Sequence, residues 1–373
     1  MKNAERVFCT IATKNYLAFV RTLFQSVRTW HPDAKCYALV IDGWEGCIRP
    51  GEEAFELLSL ERLNIPHPER LCFKYNAMAL AAALKPVLLR FLLSQPGCSH
   101  VLFLDPDILV TGSLDALFDD LSGAEIVVTP HLDQVFPEDG LQPDDAVILA
   151  AGVFNGGAIG VKSGSHSERF LEWWAGKLET KCILSHDGYY FDQKFLDIAS
   201  ATFDGFYVER DAGFNVGYWN LHSRSLRLEN GRWFCNDGPL CFFHFSGYGM
   251  ESPEMISKWT TRHTFSNRPD LQPLFDQYRA SVLANGYEES KQWPYTFSRF
   301  ASGQPITDWV RQQYRDSPER WDGDPFASAS LEFFDRKKRE PIQDLEGFLK
   351  AVRRKLHGLG VSVLDSLFRE GRG

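Results

Sequence analysis

Residues 100–110 read HVLFLDPDILV, an unbroken apolar run that stops at Asp105-Pro106-Asp107 and then resumes. A strand wetted on one face alternates polar with apolar residues, whereas a continuous run must be covered on both faces. Covering both faces of a sheet takes helices on each side, so this segment predicts an α/β architecture with residues 100–105 as a central strand. Its abrupt end predicts two carboxylates, one residue apart, at the open edge of that sheet.

The flanking sequence agrees with a wound α/β chain. RVFCTIAT at 6–13 reads as a buried strand, and Asn15 to Trp30 carries Leu17, Val20, Leu23, Phe24 and Val27 at helical spacing. His31-Pro32-Asp33 ends that helix, and CYALVID at 36–42 is a second strand. Asn76 to Leu93 is helical in composition, but Pro86 has no N–H to give to the preceding turn, which predicts a break at a helix boundary near Lys85. Further strands are expected at 125–129 and 152–162, an irregular acidic loop at 133–146, and helices at 166–179 and 187–199. Aromatic, loop-rich sequence leads to CFFHFSGY at 241–248, and from about 255 the texture turns helical and polar. There is no internal repeat. The division expected is a catalytic domain over 1–260 and a helical extension over 261–373.

The net charge of -9 argues against nucleic acid as a partner, because a phosphate backbone is gripped by clustered Lys and Arg. No run is long enough to span a membrane, and the first residues lack the apolar core of a signal peptide, so a cytoplasmic protein is expected. The eight cysteines form no Cys-x-x-Cys pair, which points to packed thiols rather than a zinc or redox site.

Four segments can carry chemistry. Asp105 and Asp107 offer hard oxygen ligands to a divalent cation from a rigid strand end. Asp-x-Asp also occurs at Asp322-Gly323-Asp324, but no strand precedes that copy and it reads as a turn. His244, in an aromatic run followed by Gly247 and Gly249, is either a satisfied core imidazole or a third ligand. Imidazole beside carboxylates suits Mn²⁺ better than Ca²⁺. Phe154-Asn155-Gly156-Gly157 is either a turn or a grip for sugar hydroxyls, and Asp192-Gln193 reads, on its own, as an exposed helical pair.

The order of LDPDILV, AGVFNGGAIGV, FDQKFLD, NVGYWNLH and FFHFSGY over residues 6–260 resembles the retaining glycosyltransferases of the GT-A fold related to family 8. That family includes bacterial lipopolysaccharide glucosyl- and galactosyltransferases and glycogenins. The resemblance implies a Rossmann-like mixed sheet flanked by helices that binds a nucleotide-diphosphate sugar, with UDP as the expected nucleotide. It implies Asp105, Asp107 and His244 as metal ligands, for Mn²⁺ ahead of Mg²⁺, and Asn155 facing donor sugar and acceptor. Asp192 would hold the sugar hydroxyls and Gln193 would lie near the anomeric carbon. Lys85 would steady the donor, Thr10, Ala12, Thr13 and Asn15 would border the base, and Gly156 and Gly247 would lie against the donor. The family follows its glycine with Lys-Pro-Trp; here the sequence is YGMESPEMISKW, so the diphosphate lysine is assigned to Lys258.

The partners this implies are the donor and a saccharide, lipid-linked or glycoconjugate acceptor. In the tail, Leu345, Phe348, Leu349, Val352 and Leu356 share one face of a basic amphipathic stretch. Such a helix rests either on an anionic membrane face or on another protein surface. Two other classes compete. A sugar nucleotidyltransferase would carry a Gly-rich, Arg-containing loop after the first strand, where this chain reads ATKNYLAF. A non-catalytic or partner-dependent carbohydrate-binding protein would tolerate loss of the carboxylates and histidine, all of which are present.

Overall fold

A computed structural model describes residues 5–185, 188–321 and 323–339. Its strands are β1 Val7–Ala12, β2 Lys35–Val40, β3 Glu56–Leu58, β4 His100–Leu104, β5 Ile108–Val110, β6 Ile126–Pro130, β7 Phe154–Lys162 and β8 Phe206–Val208. Later come β9 Leu226–Glu229, β10 Arg232–Cys235, β11 Gly238–Pro239 and β12 Phe242–His244. The helices are α1 Leu17–Trp30, α2 Pro68–Lys74, α3 Ala77–Leu93, α4 Asp115–Gly123, α5 Asp145–Ala151 and α6 Ser165–Lys181. They continue as α7 Lys194–Thr202, α8 Gln272–Ala284, α9 Tyr287–Ser290, α10 Asp308–Asp316 and α11 Ser328–Arg339.

Seven strands form one mixed sheet in the order β3-β2-β1-β4-β7-β6-β8, with helices on both faces. The apolar run at 100–104 is the middle strand, as its lack of alternation requires, and Val101 to Leu104 are fully buried. β7 alone in this sheet runs against its neighbours, pairing antiparallel with both β4 and β6. Its amino end therefore meets the carboxyl end of β4, with Leu104 opposite Ala158. The Asp105 N–H then donates to the Gly157 carbonyl at 2.7 Å. A two-stranded ribbon, β5 with β12, sets His244 opposite Ile108, one residue past Asp107.

Two expectations are corrected here. Helix α3 runs unbroken through Pro86, so Lys85 sits in mid-helix rather than at a boundary. Pro86 costs its helix about 3 kcal/mol. Leu80, Leu84, Leu88, Leu89 and Leu92 are all essentially buried against the sheet, and full burial of one such side chain is worth about 1.5–3 kcal/mol. Packing outweighs the lost bond. The second correction concerns 187–199: the helix begins only at Lys194, and Phe191 just before the Asp192-Gln193 pair has φ of 48°. That turn buries Asp192 to 5% exposure, which a surface helical pair would not be.

Beyond residue 260, α8 packs Leu274, Phe275 and Tyr278 against Phe243 and Phe245, with Tyr278 stacked on Phe245 at 3.7 Å. Arg311 on α10 is buried and donates to the carbonyls of Cys72, Phe73 and Tyr75 at the end of α2, and to Phe297. A guanidinium satisfying four carbonyls joins the later helices to the sheet's flank. Asp324, from the second Asp-x-Asp, takes the Phe326 N–H in a turn leading to α11. The amphipathic stretch at 345–356 lies outside the described residues. All eight cysteines are free, and among the described residues no helix is long and apolar enough to cross a membrane.

Candidate active site

At the carboxyl edge of β1 and β4 lies a cleft of about 400 Å³. Ala12, Thr13, Lys85, Asp105, Asp107, Asn155, Gly156, Gly157, Asp192, Gln193 and His244 all line it. Segments as far apart in sequence as Ala12 and His244 are brought together by the antiparallel insertion of β7 and by the β5/β12 ribbon.

One oxygen or nitrogen from each of Asp105, Asp107 and His244 lies within 4.8 Å of the others. His244 Nε2 is 3.1 Å from Asp107 Oδ1 and 4.0 Å from Asp105 Oδ2. Burial alone would lower the His244 imidazole, but Asp107 and Asp105 override it and raise it. Burial alone would raise the Asp107 carboxyl, yet His244 holds it below its ordinary value. Asp105 is the opposite case: burial lifts its carboxyl in spite of Lys85 and His244. The donor set fits a divalent cation, since two carboxylates and an imidazole supply hard and borderline ligands. Space fits as well. A Cβ on Gly157 would press on His244 Cε1 and lie 2.6 Å from Asp105 Oδ2, so this position must be glycine for the three side chains to converge.

Lys85 reaches across the cleft floor. Its ammonium is 2.9 Å from Asp192 Oδ2, 3.3 Å from Asp105 Oδ1 and 2.8 Å from the Gly156 carbonyl, and 4.9 Å above the Phe103 ring. Burial would lower it, but Asp105 and Asp192 raise it above the ordinary lysine value, which keeps it cationic.

The two amides face different tasks. Gln193 Oε1 accepts from Gly156 N at 3.0 Å and its Nε2 donates to the Ala151 carbonyl at 2.9 Å, so the side chain braces the entry to β7. Asn155 Oδ1 accepts from Gly157 N at 2.9 Å, and its Nδ2 meets His131 Nε2 at 3.1 Å. His131 Nδ1 lies 2.8 Å from the Gly152 carbonyl and must donate there, which leaves Nε2 as the acceptor. Burial drops this imidazole to about 4, so it is neutral.

The remaining candidates lie elsewhere. Thr10 is fully buried inside β1, away from the cleft lining. Asn15 accepts from the Thr13 hydroxyl at 2.5 Å and does not line the cleft. Gly247 has φ of 75°, and a Cβ there would strike Ser257 and Trp259. Its carbonyl accepts from Lys258 N at 3.0 Å, but the Lys258 ammonium is 4.7 Å over the Trp259 ring on an exposed surface, not in the cleft lining.

Sequence reasoning passed over Tyr16, Met78, Ser246, His131, Asn215 and Trp219. The first three line the cleft, and Tyr16 stacks on Phe19 at 4.9 Å with nearly half its surface free. Trp219 lies edge-to-face with both His131 and His244, each at 5.2 Å. His131 carried the signal of a lone histidine just past a predicted strand and before an acidic loop, and Asn215 and Trp219 lie in NVGYWNLH, to which no role was given.

No protein-family profile matches the chain. It is similar to two uncharacterized proteins of Bacillus subtilis strain 168. YfnF is 25% identical over 290 residues, covering 74% of this chain and 92% of YfnF. YfnD is 22% identical over 258 residues, covering 65% of this chain and 78% of YfnD. Among solved structures, the galactosyltransferase LgtC with donor and acceptor sugar analogues aligns at a TM-score of 0.44 and 18% identity, over 74% of this chain and 95% of LgtC. The glycosyltransferase GlyE of Streptococcus pneumoniae TIGR4 aligns at 0.44 and 17% identity, over 80% of this chain and 67% of GlyE.

Proposed function

We propose that this chain is a metal-dependent glycosyltransferase of the GT-A type. It moves a hexose from a UDP-linked donor to a saccharide, lipid-linked or glycoconjugate acceptor, with retention. The observation that carries this reading is the convergence of Asp105, Asp107 and His244 within 4.8 Å at an open cleft on the carboxyl edge of the sheet. Open α/β sheets bind their nucleotide ligands at that edge. In this reading residues 1–260 carry the chemistry and helices α8 to α11 buttress it.

A divalent cation held by these three side chains would supply the counter-charge for a diphosphate leaving group. The chain's own residues do the rest. Thr13 and Ala12 at the end of β1 border the nucleotide, and Tyr16 offers an exposed aromatic face to the base. Lys85 fixes Asp192 so that its carboxylate faces the sugar hydroxyls. Gln193 is neutral and committed at both ends to backbone, which disfavours it as a nucleophile. Same-face attack then follows: the acceptor oxygen bonds to the anomeric carbon as the bond to the phosphate oxygen breaks, and that oxygen takes the acceptor's proton. Asp192 is the alternative nucleophile, since it is the carboxylate at the sugar end of the cleft.

The test is a thermal melt with a panel of nucleotide sugars, with and without Mn²⁺, followed by product analysis on the donor that binds. Binding to the native state raises the melting temperature. A rise that needs both Mn²⁺ and one nucleotide sugar is the expected result. A melting temperature that no nucleotide sugar moves, with or without metal, would overturn the reading.

A further inference from the structure

His244 can bind a cation through Nε2 only if the ring proton sits on Nδ1, and something must accept that proton in a place closed to water. Asn215 is the side chain placed to do so. It is completely buried, and its Oδ1 is 3.3 Å from His244 Nδ1. We infer that Asn215 is a positioning residue that locks His244 in the Nδ1–H tautomer and aims Nε2 at Asp105 and Asp107. This inference rests on the metal-site reading proposed above.

Several features hold the amide in the required sense. Its Nδ2 donates to Thr129 Oγ1 at 2.7 Å, which leaves Oδ1 as the end facing the imidazole. Thr129 reaches that position through an irregularity in the β6/β7 pairing between Val128 and Thr129, which sets Thr129 opposite Asn155. The backbone at Asn215 is left-handed, with φ of 49°, a conformation asparagine tolerates better than most residues. Asn220 staples the turn: its Nδ2 donates to the Asn215 carbonyl at 3.0 Å and its Oδ1 accepts from Gly217 N at 3.0 Å. The neighbouring Val216 carbonyl takes the His244 N–H at 2.8 Å, so amide and imidazole belong to one rigid unit. Groups that accept the second N–H of a ligating histidine fix its tautomer and orientation, and their loss typically costs about 10- to 100-fold in metal affinity.

Asn215→Leu removes the acceptor at similar volume, and Asn215→Asp restores one. The first readout is proton–nitrogen-15 NMR of the histidines with diamagnetic Zn²⁺ added, with His244 assigned by comparison with His244→Gln, because without a cation Asp107 Oδ1, 3.1 Å from Nε2, competes for the ring proton. The expected result is a downfield, slowly exchanging Nδ1–H in the wild type and in Asn215→Asp, and its loss to solvent exchange in Asn215→Leu. The second readout is Mn²⁺ affinity by electron paramagnetic resonance, expected to fall about 10- to 100-fold in Asn215→Leu and to recover in Asn215→Asp. A wild-type Nδ1–H that is absent with Zn²⁺ bound, or one that is unchanged in Asn215→Leu, would overturn the inference. So would a Leu variant that binds Mn²⁺ as tightly as the wild type. Wild-type protein that binds neither Mn²⁺ nor Zn²⁺ would sink the metal-site reading itself, an outcome distinct from a cation that binds with the Nδ1–H unchanged in Asn215→Leu.

Discussion

A single methyl group on Gly157 separates what the cleft does from what the fold needs. The backbone there cannot easily move, because the carbonyl accepts from Asp105 N at 2.7 Å and the N–H donates to Asn155 Oδ1 at 2.9 Å. In Gly157→Ala the new Cβ points between three functional groups, pressing on His244 Cε1 and lying 2.6 Å from Asp105 Oδ2 and 2.9 Å from Asn155 Oδ1. Ordinary contact begins near 3.4 Å, so Asp105 must retreat by about 0.8 Å and the His244 ring by somewhat more. Misplacing a reacting constellation by about 1 Å costs on the order of 10²-fold in rate. Overpacking of this kind costs only about 1–3 kcal/mol of stability. The assay is transfer rate and Mn²⁺ affinity measured well below both melting temperatures, alongside a thermal melt. Rate and affinity should collapse while the variant stays folded. A variant within twofold of wild type in both would refute the claim that the cation sits between Asp105, Asp107 and His244.

Four further outcomes are expected. Asp107→Asn should abolish transfer and donor hydrolysis together, and chelation of divalent cations should do the same reversibly; near-normal rates in either case would count against the metal assignment. Lys85→Met strands the Asp105 and Asp192 carboxylates beside each other, which should cost on the order of 3–5 kcal/mol in denaturant unfolding as well as activity. His131 is a base whose native pKa, about 4, lies below its unfolded value, so its contribution is complete above about pH 6.5 and is lost as pH falls toward 4. Over that window the loss is about 3 kcal/mol, and His131→Gln should flatten that part of the stability curve; an unchanged acid slope would show the ring is not held neutral. Arg311→Met leaves four carbonyls without their donor and should lower the melting temperature by several degrees with the cleft intact, seen as unchanged Mn²⁺ affinity.

The misread segments share one cause. Pro86 breaks helices in isolation, but α3 lies against the sheet with five leucines buried, and that energy is invisible to a local rule. Asp192-Gln193 looks like part of a helix because Lys194 onward is one. The turn at Phe191, whose N–H donates to the Ile183 carbonyl, and the pull of Lys85 on Asp192 both come from outside that helix.

Local chemistry by itself determined that this chain builds a helix-covered sheet, that residues 100–104 run through its middle, and that a pair of carboxylates ends that strand. Apolar continuity and a proline are properties of neighbours in sequence, so they can be read without coordinates. From its neighbours alone His244 reads equally as a core imidazole; its place beside Asp105 and Asp107, that of the Lys85 ammonium between Asp105 and Asp192, and that of Asn215 beside His244 were decided only by tertiary structure. Those contacts depend on one antiparallel strand, β7, and on the β5/β12 ribbon, because strand direction and register bring together atoms whose residues carry no mark of each other.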